Sequence, residues 1–299
     1  MIRKSLLLAL VASLLFNISV EGEERLLTDE IGRKVKIPHS AKRIISLAPS
    51  ITEILFALGL NEEIAAVTDF CDYPEAALNK PKIGGFINPS IEKIVSLKPD
   101  LTIAIKDGNR WETIQRLNEL GFPVYVVDPR NFDGVMRTIR NIGEIVEKPD
   151  ASVRIIRNMV TRKENILNLT QSLSKPRVFF QVGDVPIITV GRGTLANDLI
   201  RLAGGENISE DEPVNYPLYS IETVMLKAPE VIIISSMESK RDCMSLIKKW
   251  QDWKNIPAIK RKSIYVIDSN LVDRPTPRII EGLEAMVKMI HTESFGEKR

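Results

Sequence analysis

Glu92 and Glu222 stand 130 residues apart in two versions of one sentence. "SIEKIVSLKPDLTIAI" begins at Ser90, and "SIETVMLKAPEVIIIS" begins at Ser220. Each opens Ser-Ile-Glu, reaches a proline at the tenth position, follows it with an acid and ends in an apolar run. Ser followed two residues later by Glu is helix-start chemistry. The hydroxyl accepts a free backbone N–H, and the carboxylate meets the positive end of the helix dipole for about 0.3–1 kcal/mol. Two carboxylates at equivalent places in two halves of a chain can also pair with the cations of a partner. Such rim charges set register and association rate more than affinity. On the residues alone the helix-start reading is the stronger of the two.

Little else in the chain could do chemistry. His39 and His291 are the only histidines. A site for bare zinc or manganese needs several imidazole and carboxylate ligands in one cleft, so both histidines read as surface residues and no metal site is assigned. No Ser-His-Asp or Cys-His arrangement is legible, so no catalytic residue and no cofactor is expected, and the chain does not read as an enzyme. Cys71 and Cys243 show neither metal-ligand spacing nor a disulfide framework and are expected to be unpaired. "GRGTLA" (Gly191 to Ala196) fits the dinucleotide pattern G-x-G-x-x-A. Glu206 and Glu210 lie beyond it, but no acid clearly ends a second strand, so it reads as a helix entrance.

Composition supports a soluble globular protein. The 299 residues are 44% hydrophobic and 27% charged, enough for one large or two medium domains. Residues 1–22 read as a signal peptide: Arg3 and Lys4 precede "LLLALVASLLF", an apolar run too short to span a bilayer. The alternative is a retained N-terminal anchor. No cysteine follows the run to carry a lipid. Cleavage would remove Arg3 and Lys4, taking the 41 basic residues to 39, equal to the acidic count. A neutral exported protein has no bulk attraction to nucleic acid or acidic membranes.

The elements that must position these residues alternate. "GRKVKIP" reads as a short edge strand, and "RIISLAP", "IAAVT", "DLTIAI" and "VYVVD" as buried strands. Ser50 and Glu53 read as a capping box opening the helix "SITEILFALGL", with Gly59 at its end. A helix is predicted over Trp111 to Gly121. The second half repeats the order with "RVFFQV", "TLANDLIRLAGG", the Ser220 helix, "EVIIIS", a helix over Met244 to Trp253, and "SIYVID". Near-continuous apolar strands alternating with helices imply parallel sheets covered on both faces. Residues 149–175 join the halves without an internal Gly or Pro after Pro149. Val153, Ile156, Val160, Leu167 and Leu173 are expected on its buried face, and about 23 helical residues would give a strut of ~35 Å. The expected architecture is therefore α/β. Two Rossmann-like lobes with parallel sheets, 23–148 and 176–299, are joined by a single long α-helix, with a ligand cleft between them.

"RIISLAPSITEILFALGL", "CDYP", "SIEKIVSLKPDLTIAI", "AGGENI" and "TPRIIEGLEAM", in that order, resemble the substrate-binding proteins of ABC importers for cobalamin and iron-siderophore complexes. The resemblance implies a periplasmic, monomeric protein that carries a small-molecule metal chelate to a permease with its ATPase. It implies that Glu92 and Glu222 dock on permease arginines. It also implies that Tyr73, Phe86, Tyr216 and Arg274 contact the ligand. Aromatic walls suit a flat macrocycle with apolar faces and amide rims, as in a corrinoid. Ile105 stands where the cobalamin binder has an aromatic, and Asn270 where it has an acid. These departures leave a ferric siderophore or haem open as the ligand. An exported α/β enzyme working in the same cleft is the reading of a different class.

Overall fold

The structure is a computed structural model that describes residues 24–236 and 240–294, the side chains of 236–243 excepted. The expected signal peptide lies outside the described residues. An antiparallel hairpin, β1 (Glu24–Thr28) and β2 (Lys34–Pro38), opens the described chain. The sequence reading found β2 alone, because β2 alternates exposed lysines with buried Val35 and Ile37, whereas β1 buries no residue fully.

The first lobe is a four-stranded parallel sheet of β3 (Ile44–Ser46), β4 (Ile64–Val67), β5 (Leu101–Ile105) and β6 (Val124–Val127), in the order β4-β3-β5-β6. Helices α1 (Pro49–Ala57), α2 (Ile91–Ser96), α3 (Trp111–Glu119) and α4 (Phe132–Ile145) alternate with the strands. The strands read as unbroken apolar runs because both faces are covered. Ile44, Ile103 and Val127 join one core, while their neighbours Ile45, Ala104 and Val126 join another.

Helix α5 (Pro149–Thr170) carries the chain across. Its 22 residues span roughly 33 Å, and Pro149 sits in the first turn, where no N–H is needed. The buried face is Ser152, Ile156, Met159, Ile166 and Thr170. Val153 and Leu167, expected inside, are exposed. The stripe was misjudged because two of its members are hydroxyls that satisfy themselves within the helix. Ser152 Oγ donates to the Pro149 carbonyl at 2.8 Å and Thr170 Oγ1 to that of Ile166 at 3.0 Å.

The second lobe holds β7 (Arg177–Gly183), β8 (Ile187–Thr189), α6 (Leu195–Leu202), β9 (Glu206–Asn207), β10 (Leu218–Tyr219), α7 (Ile221–Lys227) and β11 (Val231–Ser236). α8 (Lys240–Gln251), α9 (Pro257–Lys260), β12 (Ile264–Asp268), α10 (Ser269–Val272) and α11 (Ile279–Ile290) complete it. Its parallel part, β9-β7-β11-β12, repeats the order of the first lobe. The expected parallel sheet is present, and it is extended at one edge. After β7 the chain turns straight back into β8, which pairs antiparallel with β7, and β10 pairs antiparallel with β8. His291, expected at the surface, is corrected. It is 5% exposed, with Nε2 2.9 Å from the Ala203 carbonyl, and burial holds its pKa below the usual histidine value. The ring lies where a side chain on Gly204 would be, 2.9 Å from the ideal Cβ, and Gly204 has φ +79°.

The repeated sentence is a repeated joint. Ser90 accepts from Lys93 N and Ser220 from Thr223 N, so both serines cap their helices. Lys98 and Ala228 leave those helices with the same left-handed φ of 46°. The acid after the proline then reaches the first strand of its lobe. Asp100 accepts from the backbone N–H of Lys42 (2.7 Å) and Arg43 (3.0 Å), and Glu230 from that of Arg177 (3.1 Å). Arg43 returns two bonds to the Leu97 carbonyl, at 2.9 and 2.5 Å, and Arg177 two to the Ala228 carbonyl, at 3.0 and 2.9 Å. Each arginine therefore binds a helix C-terminus to the strand beside it. Among the described residues, no helix is long and apolar enough to cross a membrane.

Asp100→Ala removes the acceptor for two backbone N–H groups at once. It is expected to cost about 1–2 kcal/mol of stability in urea unfolding. Glu92→Ala, on the exposed start of the same helix, is expected to cost less than half of that.

Candidate functional site

The loops that leave the carboxyl ends of the strands face each other between the lobes. The loop after β4 is held from beneath. Thr52 Oγ1 and Thr68 Oγ1 each lie 3.2 Å from Cys71 Sγ, and Lys82 Nζ donates to the carbonyls of Cys71 (3.0 Å) and Ala77 (3.2 Å). Cys71 is buried and free, while the side chain of Cys243 lies outside the described residues. This support fixes the stretch that presents Phe70, Asp72 and Tyr73.

Glu53 is not a cap. Helix α1 starts at Pro49, its N-cap is Ala48, and no side chain caps it. The Glu53 side chain is turned inward and 2% exposed. Arg278, from the second lobe, donates Nη2 to Oε1 and Nε to Oε2, both at 2.8 Å. Arg274 Nη1 reaches Oε1 at 3.3 Å and Asp72 Oδ1 at 2.6 Å. The Arg278 guanidinium stacks 3.7 Å from the centroid of the Tyr73 ring. Two of the predicted residues, Tyr73 and Arg274, thus meet in one cluster that spans the cleft. Sequence reasoning missed Glu53, Asp72 and Arg278. The signals were a charge inside the apolar helix "SITEILFALGL" and two arginines four apart in "RPTPR".

The cluster's charges balance: two carboxylates face two guanidinium groups. Burial would raise the Asp72 carboxyl, but the hydrogen bond and charge of Arg274 outweigh it and hold the pKa below its usual value. Burial likewise works against the charge on Arg274, and the bonds to Asp72 and Glu53 overcome it. The hydrogen bonds that Arg278 donates to Glu53 raise the arginine's pKa. Asp72, Arg274 and Arg278 are therefore ionised at neutral pH.

Phe86 is half-buried and its ring lies over Gly108. A Cβ on Gly108 would fall 2.0 Å from that ring, and Gly108 has φ +139°, so a side chain there is excluded twice. Asn109 knits the neighbouring loops. Its Oδ1 accepts from Ile105 N at 2.8 Å, and its Nδ2 donates to the carbonyls of Leu47 and Phe86, both at 2.9 Å. Ile105 is itself buried at the end of β5.

Tyr216 projects from the other lobe and is 60% exposed. Burial raises its phenol pKa, followed by the charges of Asp273 and of Asp107, which belongs to the first lobe. Asp273 accepts from Ser235 Oγ at 2.6 Å, and burial raises its pKa against that bond. Asn270 Oδ1 is buried with no hydrogen-bond partner among the described residues. Phe70, 57% exposed on the loop that carries Tyr73, is a further aromatic that the sequence reading passed over.

Glu92 and Glu222 lie apart from this cluster, exposed in the first turns of α2 and α7. Glu222 is held below the usual carboxyl range by backbone N–H bonding at the helix start, then by the Ser220 hydroxyl. The helix-start role is thus present at Glu222 and does not compete with its exposure. Gly191 and Gly193 of the dinucleotide-like pattern have another cause. A Cβ on Gly191 would meet the Val214 carbonyl oxygen at 2.3 Å, and one on Gly193 would meet Asn215 Oδ1 at 2.1 Å. Thr194 then caps α6. A groove of about 540 Å³ on the first lobe, lined by Asn88, Ile91, Arg110 and Arg116 among others, holds none of the predicted residues. Among the described residues, no three His, Cys, Asp or Glu side chains gather as a metal ion would need.

With this geometry in view, comparison with known proteins is informative. A family model described as periplasmic binding protein matches residues 44–271. The vitamin B12-binding protein of Vibrio vulnificus is 34% identical over 259 residues, which is 86% of this chain and 92% of that protein. The crystal structure of the periplasmic vitamin B12 binding protein BtuF of Vibrio cholerae superposes with a TM-score of 0.78 at 31% identity, covering 85% of this chain and 98% of that one. A structure described as a possible iron-binding periplasmic solute-binding protein from Staphylococcus epidermidis gives a TM-score of 0.74 at 29% identity, covering 84% and 99%.

Glu53→Gln leaves the shape of the inner pair and removes its charge. Two guanidinium groups then share the site with Asp72 as their remaining carboxylate, and Arg278 is left without its charge partner. The expected loss is about 3–5 kcal/mol of stability by chemical denaturation. A loss under 1 kcal/mol would show that the cluster tolerates an uncompensated charge.

Proposed function

The chain belongs to the periplasmic binding protein family, and on that premise we propose that it captures cobalamin or a related corrinoid between its lobes and hands it to an ABC permease. The family is one of substrate-binding transport proteins, not enzymes. One observation carries the choice of ligand. A third of the residues are shared with a vitamin B12-binding protein over nearly the whole of that protein's length. The cleft chemistry agrees with it. Tyr73, Phe86 and Tyr216 supply aromatic faces, and the charged cluster beside them is neutral overall. A neutral macrocycle with apolar faces and polar amides suits such walls.

An iron complex is the second reading. It is favoured by the likeness to the possible iron-binding protein and by Ile105, which puts no ring at the end of β5. Visible absorption of protein purified from its own cells separates the two, because corrin and ferric chromophores differ in spectrum.

Delivery needs a docking face. Glu92 and Glu222 stand at the starts of equivalent helices on the two lobes, one on each. Two charges held on two lobes can orient the protein on a two-fold permease, which one charge cannot. Their pairing with permease arginines, the periplasmic location, the ATPase partner and a monomeric state are parts of this proposal.

Two measurements test it. Tyr73→Ala, Phe86→Ala and Tyr216→Ala are each expected to weaken cyanocobalamin binding by about 2 kcal/mol in calorimetry while the fold persists. Unchanged affinity in all three would put the ligand elsewhere. Glu92→Arg with Glu222→Arg is expected to abolish reconstituted uptake with ligand affinity intact, because each change sets like charges against each other at the interface. Normal uptake by the double variant would leave the glutamates as helix-start residues only.

A further inference from the structure

We propose that Arg274 and Asp72 together read a carboxamide on the rim of the ligand, so that Asp72 discriminates an amide-rimmed corrinoid from a chelate that presents a carboxylate. The proposal rests on the corrinoid reading above and adds the residue that enforces it.

The cluster has an inner and an outer pair, and they differ in freedom. In the inner pair, Glu53 is 2% exposed, both its oxygens are taken by Arg278, and Tyr73 covers the guanidinium face. Nothing there can turn to a ligand without uncovering a buried charge. The outer pair is different. The Asp72 side chain is 52% exposed. Arg274 Nη1 serves both Asp72 at 2.6 Å and Glu53 at 3.3 Å, while Nη2 reaches Asp72 only at 3.4 Å. Among the described residues, Nε of Arg274 donates to no acceptor. The guanidinium thus keeps donors in reserve although its charge is matched, and the carboxylate keeps lone pairs open to solvent.

A primary carboxamide fits this pair in both senses. Its oxygen accepts from the spare Arg274 donors, and its N–H donates to the open Asp72 oxygen. The pair stays ionised and together throughout, so the ligand displaces water only. A carboxylate in the same place could use Arg274 but would bring a second negative charge against Asp72. Arg274 already holds one carboxylate closely, so the newcomer gains little attraction and meets repulsion. Rejection by a group that is unfavourable to the wrong ligand is how a site selects between near isosteres. Arg274 without Asp72 would do the reverse and favour the acid, because its charge would be only half compensated by Glu53, which is shared with Arg278. The negative partner is therefore the one that decides between the two chemistries.

The test compares cyanocobalamin with its monocarboxylates, in which one peripheral carboxamide at a time is hydrolysed, on wild type, Asp72→Ala and Asp72→Asn. Wild type is expected to bind at least one monocarboxylate tenfold or more weaker than cyanocobalamin. Asp72→Ala is expected to lose about fivefold in cyanocobalamin affinity and to bring that same monocarboxylate level with it or ahead. Asp72→Asn, closer in shape, supplies the same comparison where the alanine variant fails to fold. Three results would overturn the proposal and leave the corrinoid reading standing. One is equal or tighter cyanocobalamin binding by the Asp72 variants, which would make Asp72 only a competitor for Arg274. Another is a penalty that persists in them. The last is no discrimination by wild type against any monocarboxylate. Failure of wild type to bind cyanocobalamin at all would remove both the reading and the proposal.

Discussion

One buried carboxylate ties the lobes to each other across the cleft. Glu53 lies on the first helix of one lobe, and its two partners lie on the last loop and last helix start of the other. A buried ion pair is not in itself strong support for stability, since removing two charges from water costs as much as their attraction returns. What such a pair gives is exclusivity. Once Arg278 is desolvated, few positions of the second lobe keep both its donors bonded to Glu53, and those positions set the width of the cleft. Tyr73 stacks on Arg278, and Asp72 bonds Arg274, so the loop that presents a candidate ligand wall is aligned by the same contact.

The strut makes that geometry hard to change. Arg162 on α5 binds Glu284 on α11 at 2.7 Å, and Lys163, one residue on, binds Asp133 on α4 at 2.7 Å. Adjacent side chains of one rigid helix thus hold both lobes. Phe132 N, at the start of α4, donates to Asp198 of α6 at 2.9 Å, a cap supplied by the opposite lobe. A large hinge motion would have to break these contacts along with the Glu53 cluster. A cleft built in advance avoids the ordering cost that a loose one meets on binding.

Much of this was legible in the sequence, and the failures have physical causes. Strands such as "DLTIAI" and "VYVVD" were readable because burial on both faces leaves no polar alternation to confuse. Gly59, with φ +82°, ended α1 where its type requires. Glu53 defeated the reading because Ser-x-x-Glu is a cap only when the glutamate faces its own helix start. Here the N-cap is Ala48, two residues before Ser50, and partners 221 and 225 positions away take the carboxylate. His291 and the buried stripe of α5 failed for a related reason. A polar residue satisfied by a carbonyl, whether of Ala203 or of its own helix, can be buried, and spacing alone does not reveal the carbonyl.

The repeated sentence shows how structural and functional demands come to share residues. Its serine, its proline-acid pair and the distant Arg43 or Arg177 are all consumed in fastening a helix to the first strand of its lobe. The glutamate is not. Glu92 makes none of the contacts that close the joint, and Glu222 bonds only at its own helix start while remaining exposed. A residue that the joint does not need, carried by a joint that occurs once in each lobe, is held at a place the fold itself duplicates. Because the lobes are locked by Glu53 and the strut, the relation between these two carboxylates is as fixed as the cleft. A partner that recognised both would read the lobe arrangement directly, and a ligand that altered the arrangement would alter the docking face with it. The constraint that shapes the cleft is therefore also the one that would couple the cleft to delivery.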